Sequence, residues 1–224
     1  MKNLVRLFPL LIIFSLGSCS SEKCSQCDCN KIKEDSYNLI NAFYIDNDSN
    51  KLEKSVLLCD KGIQCCDSMV NFFSLRKLCV LAELKDYDKA LIFIESIDSI
   101  MFTQLPYYKS YLKTRFVAMR AQNKNDTITR DSCLKMIENQ LDGFLQSKKN
   151  EVNEMTLKNE VSEILSDPLS TTITQYYYVK SILYGNKSVE DELNELCKAG
   201  RFNSRFAEHI LIYCKTSLLE FIGI

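Results

Sequence analysis

The chain of 224 residues carries a single histidine, only six glycines and three prolines, and no excess of basic side chains. Each scarcity removes a class of function. With His209 alone there is no second imidazole for a paired-histidine metal site, and no flagged nucleophile accompanies it for acid–base work. Six glycines, one of them near the N-terminus at Gly17, leave little backbone freedom for active-site loops. No glycine-rich phosphate loop, Gly-x-Ser-x-Gly elbow or metal-ligand spacing is present. Lys and Arg number 28 against 29 Asp and Glu, so no basic patch recruits a polyanion, and nucleic acid is excluded as a partner. Strand-like alternation never persists long enough to suggest a sheet.

What is present begins at the N-terminus. Lys2 and Arg6 form a short basic region, and an apolar run from Leu7 to Leu16 follows, broken by Pro9 and Ser15. A run of this length is about half of the ~20 residues a spanning helix needs, so it predicts an export signal and not a permanent membrane helix. Leu16-Gly17-Ser18-Cys19 then resembles the lipobox of bacterial lipoproteins, in which a leucine and two small residues precede a cysteine that is acylated and becomes the new N-terminus. The resemblance implies a signal peptide over residues 1–18 and a covalent lipid on Cys19. At ~0.8 kcal/mol per buried methylene, two or three acyl chains hold a protein on a membrane permanently. The Lys-, Asn-, Ile- and Ser-rich composition is similar to that of lipoproteins from Bacteroidetes-like bacteria, where surface export is linked to acidic residues just after the cysteine. Only Glu22 is acidic before Lys23, which implies the periplasmic face of the outer membrane in preference to the cell surface.

Eleven cysteines, ten of them besides Cys19, enter an oxidising compartment on this reading, so disulfides are permitted. Cys24, Cys27 and Cys29 fall in a polar stretch where no packed surroundings would hold a metal, and tail disulfides or linker thiols are expected there. Residues 19–34 read as a lipidated flexible tether, since they carry too few apolar side chains to offset the entropy of ordering. As a coil, the 14 residues from Ser20 to Lys33 would reach roughly 20 Å.

Beyond Asp35 the pattern is helical. Helices are expected over Ser36–Ile45 and Lys51–Cys66, with a polar turn at Asp46–Asn50. A hairpin follows over Leu75–Ile97, with Asp86 as N-cap of its second helix. Further helices are expected over Tyr107–Gln122, Thr127–Gln146, Glu151–Ser166, Thr171–Tyr184, Ser188–Cys197 and Ser204–Phe221. Ser55, Cys59 and Gly62 overlay Ala90, Ile94 and Ile97 at an offset of 35 residues, and Ser132, Met136 and Asn139 extend the series 42 residues later. Together with Asp86-Tyr87-Asp88-Lys89-Ala90, this resembles the tetratricopeptide repeat, a helix-turn-helix unit of about 34 residues. The first helix of that best copy lacks the family's aromatic and small-residue pair.

The expectation is therefore an all-α protein. Residues 35–147 form antiparallel hairpins stacked as a short tetratricopeptide-like solenoid, and residues 148–224 form C-terminal helices that cap it. The resemblance places the first helices of the units on a concave groove, which makes Tyr107, Tyr108 and Tyr111 candidate partner contacts. Three adjacent helical positions cannot share one face, so Tyr176-Tyr177-Tyr178 must also turn at least one ring from the core, and Tyr176 and Tyr177 join the candidates. Folding the helix that ends near Cys66 onto the one that begins near Phe72 sets positions summing to about 138 side by side, making Cys59 and Cys79 a candidate disulfide. The expected function is protein or peptide binding at a membrane, without catalysis, metal or cofactor beyond the lipid on Cys19. An immunity lipoprotein that neutralises a periplasm-directed toxin is the alternative, and a hydrolase using scattered carboxylates is the remote one.

Overall fold

The computed structural model describes residues 27–98 and 105–218, and among them there are eleven α-helices and no strand. The helices are α1 (Cys29–Asp46), α2 (Ser49–Cys65), α3 (Val70–Glu83), α4 (Tyr87–Ser96), α5 (Tyr108–Asn123) and α6 (Thr127–Ser147). Then follow α7 (Lys149–Thr156), α8 (Val161–Leu165), α9 (Pro168–Tyr184), α10 (Asn186–Lys198) and α11 (Ser204–Tyr213), with a 3-10 turn at Asp67–Met69 between α2 and α3. The protein is all-α, as its periodicity predicts.

Three reversals of the chain use one device. Asn47, Lys85 and Asn125 adopt the left-handed conformation, with φ of 55°, 56° and 57°, and are the described non-glycine residues with positive φ. Each is followed by an aspartate that caps the next helix: Asp48 accepts from the Asn50 N–H at 3.1 Å, Asp86 from Lys89 at 3.2 Å and Asp126 from Thr129 at 3.0 Å. The last two turns also share a backbone bond that closes the preceding helix, Asp86 N–H to Leu81 O and Asp126 N–H to Ala121 O, both 2.9 Å. These turns join α1 to α2, α3 to α4 and α5 to α6.

Contacts along the array show that successive helices run antiparallel. Ser36 Oγ on α1 meets Ser55 Oγ on α2 at 3.0 Å, Asp60 on α2 pairs with Lys77 on α3 at 2.6 Å, and Asp88 on α4 pairs with Arg120 on α5 at 2.6 Å. Further along, Lys113 on α5 reaches Glu95 on α4. The three turns consequently share one pole of the array, while the N-termini of α1, α3 and α5 and the C-termini of α2 and α4 share the other. At that second pole two disulfides, Cys27–Cys65 and Cys29–Cys66, join the start of α1 to the end of α2, with Cα separations of 6.2 and 5.8 Å.

The core has two large parts. Leu78, Ala90, Ile94, Leu112, Phe116 and Leu134 of α3–α6 pack with Tyr178 and Val179 of α9. Met155, Ile164, Ile173, Leu193, Phe206 and Ile210 form the second part from α7 to α11. Phe144 and Tyr176 border both, so the core is continuous.

Five expectations change. Residues 29–34 belong to α1 and not to a tether, because Asp28 caps the helix and the two disulfides pin it. The helix expected over Glu151–Ser166 is two, α7 and α8. Asn203 holds the break, its N–H on Thr156 O and its Nδ2 on Lys158 O, each at 2.8 Å. Helix α10 begins at Asn186, with Gly185 at its N-cap, and not at Ser188, and α9 begins at Pro168 and not at Thr171. In the third hairpin Ser132, Met136 and Asn139 face solvent. The buried set is Cys133, Leu134, Ile137 and Leu141, and the cap-to-cap spacing from Asp86 to Asp126 is 40 residues.

Candidate partner-binding groove

The tyrosines expected to line an open groove are core residues. Tyr107, Tyr108 and Tyr111 retain 7%, 4% and 1% of their surface. The reason is the position of α5: α4 and α6 flank it and α9 closes over its tyrosine face, so its buried residues cover more than half of the helix, Arg115 included, and only the side of Ser110 and Lys113 stays exposed. The Arg115 guanidinium donates to Tyr111 Oη at 2.9 Å and lies 5.2 Å from the centre of the Tyr178 ring. Tyr107 shares a hydrogen bond of 2.6 Å with Thr172, and burial pushes its phenol up to about 12. Tyr177 is also buried, with its hydroxyl on Glu192 at 3.4 Å. Tyr176 is half-buried, its ring edge-on to that of Tyr177 and 5.2 Å from the Lys180 ammonium.

Cys59 and Cys79 do lie on neighbouring, antiparallel helices in the expected register, but no bridge joins them and both remain thiols. Their side chains serve different packing units. Cys59 contacts Ser36 Oγ of α1 at 3.8 Å and packs with Phe73, whereas Cys79 packs with the α3–α6 core. Burial pushes the Cys59 thiol up to about 11, against a partial lowering by Ser36. Instead the bridges are formed by Cys27 and Cys29, two of the three residues of the polar N-terminal cluster. Cys24 and Cys19 lie outside the described residues. His209 is exposed, its ring stacked 6.5 Å from that of Phe206. Among the described residues no group of three or more His, Cys, Asp or Glu is placed to hold a metal ion.

An accessible hollow lies elsewhere in the fold. It has a volume of about 700 Å³ and runs between α2 and α4 over α3. Val56, Leu81 and Leu84 make an apolar floor, and Leu57 and Ile92 stand as lips with 67% and 71% of their surface exposed. Its ends are charged. At one, Asp60 pairs with Lys77 at 2.6 Å, and the Lys77 ammonium also sits 4.1 Å from the centre of the Phe93 ring. At the other, Asp86 pairs with Lys89 at 2.7 Å near Glu53, and the hydrogen bond that the Lys89 ammonium donates to Asp86 raises the Lys89 pKa. A second trough, of about 580 Å³, follows α1 and α2 on the far side of Leu57, with Leu39 and Leu58 on its walls. Leu57 is thus the ridge between two grooves.

This arrangement recognises by burial and by charge at the ends. Covering an exposed leucine or isoleucine is worth roughly 1.5–3 kcal/mol before the costs of association. Leu57 and Ile92 are 35 residues apart, the same offset that aligns Ser55 with Ala90 and Cys59 with Ile94, all four of which are fully buried. The lips are therefore corresponding positions of two helices. Their signal in the sequence was an apolar residue two places from the buried stripe in each helix.

Compared with protein-family models, with curated proteins and with solved structures, the chain finds no match.

Proposed function

We propose that this chain is a lipoprotein whose stacked helical hairpins bind a protein or peptide partner in the groove between α2 and α4. On this reading Cys19 carries the lipid, and the helical part works at the periplasmic face of the outer membrane. The observation that carries the proposal is the pair of exposed side chains, Leu57 and Ile92, at corresponding positions above an apolar floor. The paired charges at both ends suit a partner segment with two or three apolar side chains flanked by charges of both signs. The repetition of the left-handed residue and capping aspartate at three turns supports a tetratricopeptide-like stack of the three hairpins. The C-terminal helices would then cover its last unit.

The test is capture of the partner from solubilised envelopes with the full-length chain, after crosslinking in intact cells. Leu57→Glu with Ile92→Glu places two carboxylates on an already solvated surface, so the fold should keep its helical signal and melting temperature. Recovery of the crosslinked partner should fall at least tenfold. Undiminished capture by the folded double variant would refute the groove. The identity of the partner separates a resident envelope protein, which fits a scaffold, from an incoming toxin, which fits immunity.

A further inference from the structure

The two disulfides fix where the N-terminal segment enters the fold, and this bears on which surface meets the membrane. Cys27 is bound to Cys65 and Cys29 to Cys66, so the root of any N-terminal anchor is held at the pole formed by the start of α1 and the end of α2. Only eight Cα–Cα steps separate Cys19 from Cys27, with seven residues between them. Fully extended they span at most about 27 Å, and as a coil roughly 16 Å, less than the reach expected of a longer tether.

The same pole carries a cluster of aromatic and basic side chains. The Lys33 ammonium lies 4.9 Å from the centre of the Phe72 ring, and the Arg76 guanidinium lies 3.8 Å from the centre of Tyr37 and 5.6 Å from that of Phe72. The Tyr37 and Phe72 rings are 5.9 Å apart. These residues fall within the first two turns or so of α1 and α3, roughly 12 Å or less from the pole along the helix axes. A tyrosine and a phenylalanine ring beside long basic side chains suit the boundary between water and lipid headgroups, where the rings and methylene stems are covered and the hydroxyl and the charges stay wet.

We propose that this disulfide-clamped pole, with Lys33, Tyr37, Phe72 and Arg76, is the surface by which the protein lies on the bilayer. The proposal rests on the lipid-anchor reading of Cys19. The turns at Asn47, Lys85 and Asn125 then point away from the membrane. The α2–α4 groove, whose residues from Glu53 to Asp60 sit roughly 8–18 Å along α2 from Cys65, stays within about 45 Å of the lipid.

The experiment uses the full chain, lipidated in cells and reconstituted in vesicles of phosphatidylethanolamine and phosphatidylglycerol that contain a rhodamine-labelled lipid. A donor dye is attached through an azide-bearing residue at exposed Gln64, near the clamped pole, or at exposed Lys124, at the opposite one. Transfer to the lipid acceptor should be at least twofold more efficient from Gln64. Equal or reversed transfer from a protein that carries diacylglycerol on Cys19 would overturn the orientation and leave the anchor intact. Absence of diacylglycerol by mass spectrometry, with no flotation of vesicle-bound protein, would overturn the anchor and the proposal with it. A chain with serine at positions 27, 29, 65 and 66, its helical signal checked by circular dichroism, should lose most of the bias. Full bias in that variant would overturn the clamp as its cause. Tyr37→Ser with Arg76→Ser should reduce the bias while the disulfides stay intact; unchanged transfer would overturn the patch as a lipid contact.

Discussion

At the residue scale, two glycines in helices have opposite roles. A Cβ added at Gly62 of α2 would lie 2.5 Å from the Phe73 ring of α3, and Phe73 has no accessible surface into which to move. Gly143 in α6 is exposed, with nothing within 4 Å of its added Cβ. Overpacking costs roughly 1–3 kcal/mol, against about 1 kcal/mol gained in helix propensity. Gly62→Ala should therefore lower the stability on urea denaturation by the order of 1 kcal/mol, while Gly143→Ala should raise it by a similar amount. Titratable groups in the core give a second prediction. Burial raises the Cys59 thiol from 9.0 to about 11, and the Tyr107 phenol from 10.0 to about 12. Both groups ionise more readily in the unfolded chain. Their contribution is intact below pH 9 and is lost as the pH rises through the folded values, at up to about 1.4 kcal/mol per pH unit for each group. The melting temperature should fall between pH 9 and 12, and Cys59→Ser should flatten the part between 9 and 11.

At the scale of elements, the paired disulfides stabilise by closing one loop twice. Cys27–Cys65 spans 38 residues and Cys29–Cys66 spans 37. Closing a loop of that size removes about 4 kcal/mol of unfolded-state entropy, and a second link beside the first removes much less. Replacing Cys27 and Cys65 by serine should cost a small part of that figure, whereas replacing all four cysteines should cost about 4 kcal/mol by urea denaturation. A loss on removing Cys27–Cys65 that is about half of the loss on removing both bridges would show that the bridges act independently. The same clamp explains why residues 29–34 did not read as helix. Their composition is polar, and what orders them is bonded to positions 65 and 66. The break after Thr156 was hidden for a related reason, since Asn203 holds it from the N-cap of α11. The hairpins themselves were legible, because Asp86, apolar spacing and the turn residues at positions 46–50 and 123–126 are local signals. The groove was not. Leu57 and Ile92 are of the same type as the core residues beside them, and only the placement of α2 against α4 leaves them exposed. Tyr107, Tyr108 and Tyr111 failed as surface candidates in the converse way, since α9 covers them from about 65 residues away.

At the scale of the whole molecule, the boundary after Ser147 marks a change of pattern in the sequence but not a structural division. Helix α9 lies against α6, with the Tyr184 hydroxyl on Glu138 at 2.7 Å, and gives Tyr178 and Val179 to the core that α3–α6 build. Tyr178 in turn packs edge-on to Tyr213 at 5.0 Å and donates to the Ser217 carbonyl at 3.0 Å, which ties the end of the described chain to the same core. Removing residues 148–224 would uncover Tyr107 and Arg115 and withdraw Tyr178 and Val179 from the core. Each large apolar group re-exposed costs roughly 1.5–3 kcal/mol, and a domain's whole stability is about 5–15 kcal/mol. A chain ending at Ser147 should thus lose the cooperative urea transition of the full protein and bind hydrophobic dyes, even with both disulfides formed. The intact chain should unfold in a single transition whether followed by helical circular dichroism or by tyrosine fluorescence. A truncated chain that kept a sharp transition of its own would make the C-terminal helices a separate unit and leave α6 able to close the array without them.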